Sequence, residues 1–227
     1  MKEIIIATPS GTGMLPIFYI DSLLRTLEEG RKNDIIFHPL FIAHDALIQR
    51  ARNDLFKMCY EASHIDEVIF IDDDMNWEPS EIFKLLSHNV DVVAGVGRKK
   101  SDQISYAFSP LELPFKIEKN GLIKIDSIGF AFLKLNRKVI NDIWENSLEY
   151  KEDDGKSNKM IFQVEINKEG NLISEDIFVT RKIRELGYDI WLDPNISIGH
   201  FGNKNYQSDF LSWMEYINDS IEDENVS

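Results

Sequence analysis

The stretch VIFIDDDMNW, residues 68–77, runs four apolar residues into three consecutive aspartates. A short apolar run bounded by turn-forming residues reads as a buried strand, so the carboxylates fall at a strand end. Like charges side by side repel, and burying any of them unpaired costs several kcal/mol, so a cation is expected there. In extended backbone Asp72 and Asp74 project to one side and Asp73 to the other. Two carboxylates on one side form a half-shell for Mg²⁺ or Mn²⁺, which take hard oxygen ligands and leave positions for water or phosphate oxygens. The plainer alternative is a solvated acidic turn leading into a helix. A phosphatase with an aspartyl nucleophile also carries Asp-x-Asp after a strand, but Met75 stands where such a site has Thr or Val.

Working outward, Ile4–Ala7 reads as a strand stopped by Pro9 and a Ser-Gly-Thr-Gly turn, and Leu15, Phe18, Leu23, Leu24 and Leu27 then recur at helical spacing toward Gly30. Ile35–Ile42 is a second strand. Asp45 is placed to cap a helix through about His64, with Ala46, Ile48, Leu55, Met58 and Cys59 as apolar positions. Pro79 suits the first turn of a helix over Glu81–His88, and Val90–Gly95 is a fourth apolar run. Strands alternating with helices predict a parallel sheet with helices on its faces, an architecture that places ligands at the carboxyl ends of its strands.

After residue 110 the pattern changes. PFKIEKNGLIKIDSIGFAFLKL, residues 114–135, has two extended segments around Asn120-Gly121, then a long apolar strand. EYKEDDGKSNKM, residues 149–160, is charged and poor in apolar residues and reads as a loop. A helix opens at Ser174-Glu175-Asp176 and ends at Gly187, short strands follow at 189–193 and 196–198, and Phe210, Trp213, Met214 and Ile217 share a face of a last helix over 209–219. The acidic tail IEDENVS, residues 221–227, is expected to fray.

Of the 227 residues, 43% are hydrophobic, enough for one substantial core, and one domain is expected over residues 1–220. The formal charge of −14 disfavours nucleic acid and anionic lipid as partners, and an anionic ligand needs a local positive feature. The single cysteine, Cys59, cannot form an internal disulfide, and the first apolar run is too short for a secretion signal. No run approaches the ~18 apolar residues of a membrane span. A cytoplasmic protein is the expectation.

Three further clusters bear on chemistry. In ISEDIFVTRKIRELGYDIWLDPNISIGH, residues 173–200, Ser174, Glu175 and Asp176 have the composition of a helix start, where the dipole favours ionised carboxylates. Adjacent helical residues face different ways, so one acid of the pair at most points into a site. His200 follows a short apolar strand; it is either structural or an imidazole ligand that shifts a carboxylate site toward Mn²⁺. LIQRARND brings Arg50, Arg52 and Asn53 onto a helix, either as an exposed basic face or as phosphate contacts, and the basic stretch RKKSDQ, residues 98–103, follows the fourth apolar run. TPSGTGM lacks the Gly-Lys-Ser/Thr of a P-loop.

Taken together and in order, an opening strand ending in ATP, the ARN stretch, VIFIDDDMNW, VVAGVGRKK, IGFAFLKL and SEDIFVTRKIRELGYDIWLDPNISIGH resemble small family-2-like nucleotide-sugar glycosyltransferases of bacteria and their viruses, along about residues 3–202. The resemblance implies the GT-A fold, a Rossmann-like mixed sheet flanked by helices in a single α/β domain. Residues 1–100 would be its nucleotide-binding half and 101–205 its acceptor half. It implies that Asp72 and Asp74 hold Mn²⁺ or Mg²⁺ on the donor diphosphate, with His200 completing the metal shell. Thr8, Pro9, Arg52, Asn53, Asp72 and Asp73 would line the nucleoside-diphosphate sugar. Glu175-Asp176 matches the acidic pair near the acceptor hydroxyl, with Asp176 as base in inverting members. Gly129 would leave room for the sugar ring, and Trp77 and Tyr106 are candidate stacking surfaces for an acceptor glycan, or else core. The motif of processive synthases, Gln/Arg-x-x-Arg-Trp, is missing, which speaks against polymerisation. Sugar-phosphate nucleotidyl transfer and non-catalytic nucleotide-sugar binding are the alternatives.

Overall fold

A central strand needs apolar side chains on both faces, and Ile4, Ile5, Ile6 and Ala7 are all buried. In this computed structural model, which describes residues 1–43, 45, 47–152 and 155–226 without the side chains of 224–226, they lie in β1 (Lys2–Ser10). There follow α1 (Ile17–Lys32), β2 (Ile35–Ala43), α2 (Ile48–Glu61), β3 (Glu67–Ile71), β4 (Met75–Trp77), α3 (Pro79–Ser87) and β5 (Val92–Ala94). The second half holds β6 (Phe108–Pro110), β7 (Ile123–Ile128), β8 (Phe132–Asn136), α4 (Arg137–Glu145), β9 (Leu148–Lys151) and β10 (Ser157–Met160). Then come β11 (Glu165–Ile166), β12 (Leu172–Ile173), α5 (Glu175–Glu185), β13 (Ile190–Leu192), β14 (Ile198–Phe201), β15 (Asn205–Tyr206) and α6 (Phe210–Val226).

Eight strands form one sheet in the order β2-β1-β3-β8-β5-β13-β7-β6. β1 pairs in parallel with β2 and β3, as the alternation of strands and helices predicts. β8 breaks the series: it lies antiparallel between β3 and β5, with Leu133 opposite both Phe70 and Ala94. The sheet is therefore mixed, and helices cover both faces. Leu55, Phe56 and Cys59 of α2, Val139 and Ile140 of α4, and Val179 and Ile183 of α5 fill one side; Tyr19 and Leu23 of α1 with Ile82 and Leu85 of α3 fill the other. Each such fully buried side chain contributes about 1.5–3 kcal/mol. The chain thus adopts the expected α/β class, a Rossmann-like mixed sheet flanked by helices.

Local expectations are corrected at several points. IGFAFLKL is not one strand, because residues 129–131 separate β7 from β8 and let them join different neighbours. The stretch 149–160, expected as a loop, contains β9 and β10 paired antiparallel, with Tyr150 opposite Asn158. Its apolar content is low because what docks it is polar: buried Asn158 donates to Asp54 on α2 (2.6 Å) and to Glu152 (2.9 Å). The acidic tail does not fray at residue 221, since α6 continues to Val226. Asp45 stands three residues ahead of α2, where it accepts the Leu47 N–H (2.9 Å) and pairs with Arg50; Ala46 lies outside the described residues. Among the described residues no helix is long and apolar enough to cross a membrane.

Candidate functional site

At the carboxyl end of β3 the backbone turns instead of staying extended, and the Met75 N–H donates to the Asp72 carbonyl (3.2 Å). Side-chain alternation therefore stops at Ile71, and the three carboxylates part company. Asp72 accepts two hydrogen bonds from Arg52 Nη2, at 2.7 and 2.9 Å. Asp73 lies against the Ser10 hydroxyl at the end of β1; burial and then the charges of Asp74 and Asp72 push its carboxyl above the usual range despite that contact. Asp74 carries Lys100 directly on Oδ2, with His200 Nε2 at 3.3 Å from the same oxygen. Desolvation would raise Asp74, but the bonds from His200 and Lys100 overcome it and hold the carboxyl below its usual range.

His200 is fixed by its other ring nitrogen. Nδ1 lies 2.9 Å from the Arg98 carbonyl, which only accepts, so Nδ1 carries the donated proton and Nε2 is the ring nitrogen turned toward Asp74. Nε2 stands 3.3 Å from Asp74 Oδ2, and among the described residues Asp74 Oδ1 is buried without a hydrogen-bond partner. An imidazole nitrogen beside a carboxylate that has an orphaned oxygen fits a divalent cation held by Asp74 and His200, its remaining positions left to water or phosphate oxygens. Asp72 stands outside this pairing, since both its oxygens accept from Arg52 Nη2. Among the described residues no three His, Cys, Asp or Glu side chains form a complete cage.

The second acidic group begins α5. Arg52 Nη1 donates to Glu175 (2.8 Å), so one buried guanidinium joins Asp72 on the strand side to Glu175 on the helix. Burial disfavours that charge, yet Asp72, Glu175 and Asp176 together hold Arg52 firmly protonated. Asp176 is held differently. Its Oδ1 accepts the Ile177 N–H (2.7 Å) and the Ser174 hydroxyl, which caps no backbone N–H of the helix. Its Oδ2 faces Gly129, where a Cβ would stand only 3.2 Å away. The two acids thus diverge, as adjacency on a helix requires: Glu175 is committed to Arg52, and Asp176 keeps one oxygen over a glycine.

The fold resembles that of A197 from STIV. That crystal structure superposes with a TM-score of 0.56 at 16% identity, covering 89% of this chain and 86% of that one. The inositol-1-phosphate CTP transferase from T. maritima gives 0.46 at 12% identity over 85% and 84% of the two chains. A glycosyltransferase involved in the glycosylation of the major capsid of PBCV-1 gives 0.37 at 8% identity over 64% and 66%. At these identities the likeness to A197 concerns the fold. No protein-family model and no curated protein matches the sequence.

Other expected site residues fall elsewhere. Trp77 is buried, with its indole N–H on Thr26 (2.9 Å) and its ring edge-on to Tyr19, so it serves the core and offers no face to a sugar. Tyr106 is likewise buried in an aromatic cluster with Phe210 and Trp213, its hydroxyl on Ser208. Asn53 is spent on the backbone: Oδ1 accepts the N–H groups of Ile161 (3.0 Å) and Phe162 (2.8 Å), and Nδ2 donates to the Phe162 carbonyl (3.3 Å). Thr8 is buried against the Tyr19 hydroxyl, and Pro9 sits inside β1 opposite Ile42. Arg52 presents itself to carboxylates and the Phe162 ring (5.8 Å), not to the open side of the site. Sequence reasoning missed Ser10, Ser174 as a partner of Asp176, and Phe162. Ser10 was visible as the first hydroxyl past Pro9 at a strand end; Phe162, in a stretch without a motif, carried no signal. An apolar cavity of about 370 Å³ lined by Leu47, Met160, Phe162 and Val164 flanks α2 and contains none of the acidic residues.

Proposed function

We propose that this protein is a transferase acting on nucleoside-diphosphate sugars, moving the sugar to a hydroxyl acceptor with inversion and with Asp176 as the base. The observation that carries this reading is the arrangement of Asp176 Oδ2 over Gly129 in one Arg52-bridged assembly with the carboxylates that end β3. Asp74 and His200 would hold Mn²⁺ or Mg²⁺, which when bound supplies positive charge beside the departing diphosphate.

The chain's own residues account for the remaining steps. Gly129 leaves space beside Asp176 for an acceptor hydroxyl, whose proton passes to Oδ2 as its oxygen bonds to the anomeric carbon and the bond to the diphosphate oxygen breaks. The Ile177 N–H and the Ser174 hydroxyl fix Oδ1, which orients the carboxylate but also makes it a weaker base. Arg52 draws Glu175 aside and leaves a single proton acceptor at the acceptor position.

The test is product analysis with a panel of nucleotide sugars and Mn²⁺. Release of nucleoside diphosphate together with a glycosylated hydroxyl acceptor supports the proposal. Release of pyrophosphate from a nucleoside triphosphate and a sugar phosphate replaces it with nucleotidyl transfer, and binding without either product replaces it with a non-catalytic role.

A further inference from the structure

Of the cations at the aspartate turn, Arg52 and Lys100 are held very differently. Arg52 has a side chain 6% exposed and two carboxylate partners. Lys100 has one partner, and its side chain is 35% exposed. Its stem lies across Gly202, where a Cβ would stand 3.1 Å from Cδ, and its charge reaches Asp73 as well as Asp74. The backbone around it is closed by the Lys99 N–H on the Ser105 carbonyl (2.8 Å) and by the Arg98 bridge to Tyr106, so the side chain can swing without the loop opening.

The oxygen that Lys100 occupies is the one that His200 Nε2 approaches, while among the described residues Asp74 Oδ1 goes without a partner. An ammonium and a divalent cation on the same oxygen would repel each other strongly, so the two are alternatives. We infer that Lys100 is an exchangeable counter-ion: it neutralises Asp74 in the free protein, and a divalent cation entering at Asp74 and His200 displaces it onto the diphosphate of the donor. This rests on the proposed use of a nucleoside-diphosphate sugar. It gives one lysine two roles, competitor of the metal before the donor arrives and ligand of the diphosphate afterwards.

The two roles predict opposite effects from one substitution. By calorimetry without nucleotide, Lys100→Met should bind Mn²⁺ about three- to tenfold more tightly than wild type. With Mn²⁺ saturating and inorganic pyrophosphate as the probe, the same variant should bind about tenfold more weakly. Adding Asp74→Asn to Lys100→Met should abolish the gain in Mn²⁺ affinity. Unchanged or weaker Mn²⁺ binding in Lys100→Met, including no binding to either protein, overturns the exchange, and unchanged pyrophosphate binding overturns the hand-over. Failure of the transferase reading would show separately, as opposed binding effects in a protein that yields no transfer product.

Discussion

Asp72–Asp74 and Glu175–Asp176 are both runs of adjacent carboxylates, yet the fold stabilises them by different means. The triplet sits on a turn and draws its side-chain partners from three distant places: Arg52 on α2, Lys100 after β5 and His200 on β14. The pair sits at a helix start, where the Ile177 N–H and the Ser174 hydroxyl serve Asp176 locally and only Glu175 depends on a distant group, again Arg52. Local support fixes one orientation for Asp176, the proposed base, whereas the side-chain support of the triplet is what the proposed ligand exchange would use. Arg52 belongs to both clusters and ties their geometries together.

The severest challenge to this contrast is Arg52→Met. Losing the shared guanidinium leaves two partly buried carboxylates unpaired, and a cost of about 3–5 kcal/mol by chemical denaturation is expected. A loss below about 1 kcal/mol would mean that the clusters are independent. Asp176→Asn comes next: turnover with saturating donor should fall ~10²-fold or more while folding and donor binding stay near wild type, because an amide oxygen accepts a proton poorly. Glu175→Gln should keep a hydrogen bond to Arg52, cost about 1 kcal/mol of stability and leave turnover within about tenfold of wild type. If Glu175→Gln proves the more damaging to turnover, the base is Glu175.

The smallest effect is expected at Asp54, a carboxylate whose hydrogen-bond donor, Asn158, is a neutral side chain. Burial, then Glu152 and Asp45, raise the Asp54 carboxyl above its ordinary 3.8. A raised carboxyl means that folding disfavours the charged form, a penalty present at neutral pH and absent once pH falls below the unfolded value. Asp54→Asn, which can still accept from Asn158, should therefore raise Tm slightly at pH 7 and not at pH 3. An equal rise at both values would show that charge is not the cause.

The sequence was most readable where structure is local. Ile69, Phe70 and Ile71 leading into the triplet located a central strand and placed the candidate site at its end, and Ser174-Glu175-Asp176 located a helix start. What stayed hidden depended on distant partners. The alternation that put Asp72 and Asp74 on one side fails because the Met75 N–H closes a turn at Asp72, and Arg52 is drawn inward by carboxylates 20 and 123 residues away. Trp77 and Tyr106 have the chemistry of sugar-stacking residues, but burial decides between platform and core, and only the assembled fold sets burial. The β9–β10 hairpin escaped notice because Asn158 and Asn53 anchor it and its surroundings through polar groups, which leave no hydrophobic period to detect.

The antiparallel insertion of β8 also governs how the sheet can form. β3 and β5 lie two places apart, and the strand between them comes from residues 132–136, so the first hundred residues contain the flanks of the sheet's centre but not its middle. Until the chain has been synthesised past residue 136, both strands expose unpaired edges. Closing the gap requires pairing Ile69 with Lys134 and Phe70 with Leu133 across more than 60 residues. Such long-range closure slows folding and makes it concerted. A nascent or truncated chain ending near residue 100 is therefore expected to be prone to aggregation rather than to form a free-standing nucleotide-binding unit.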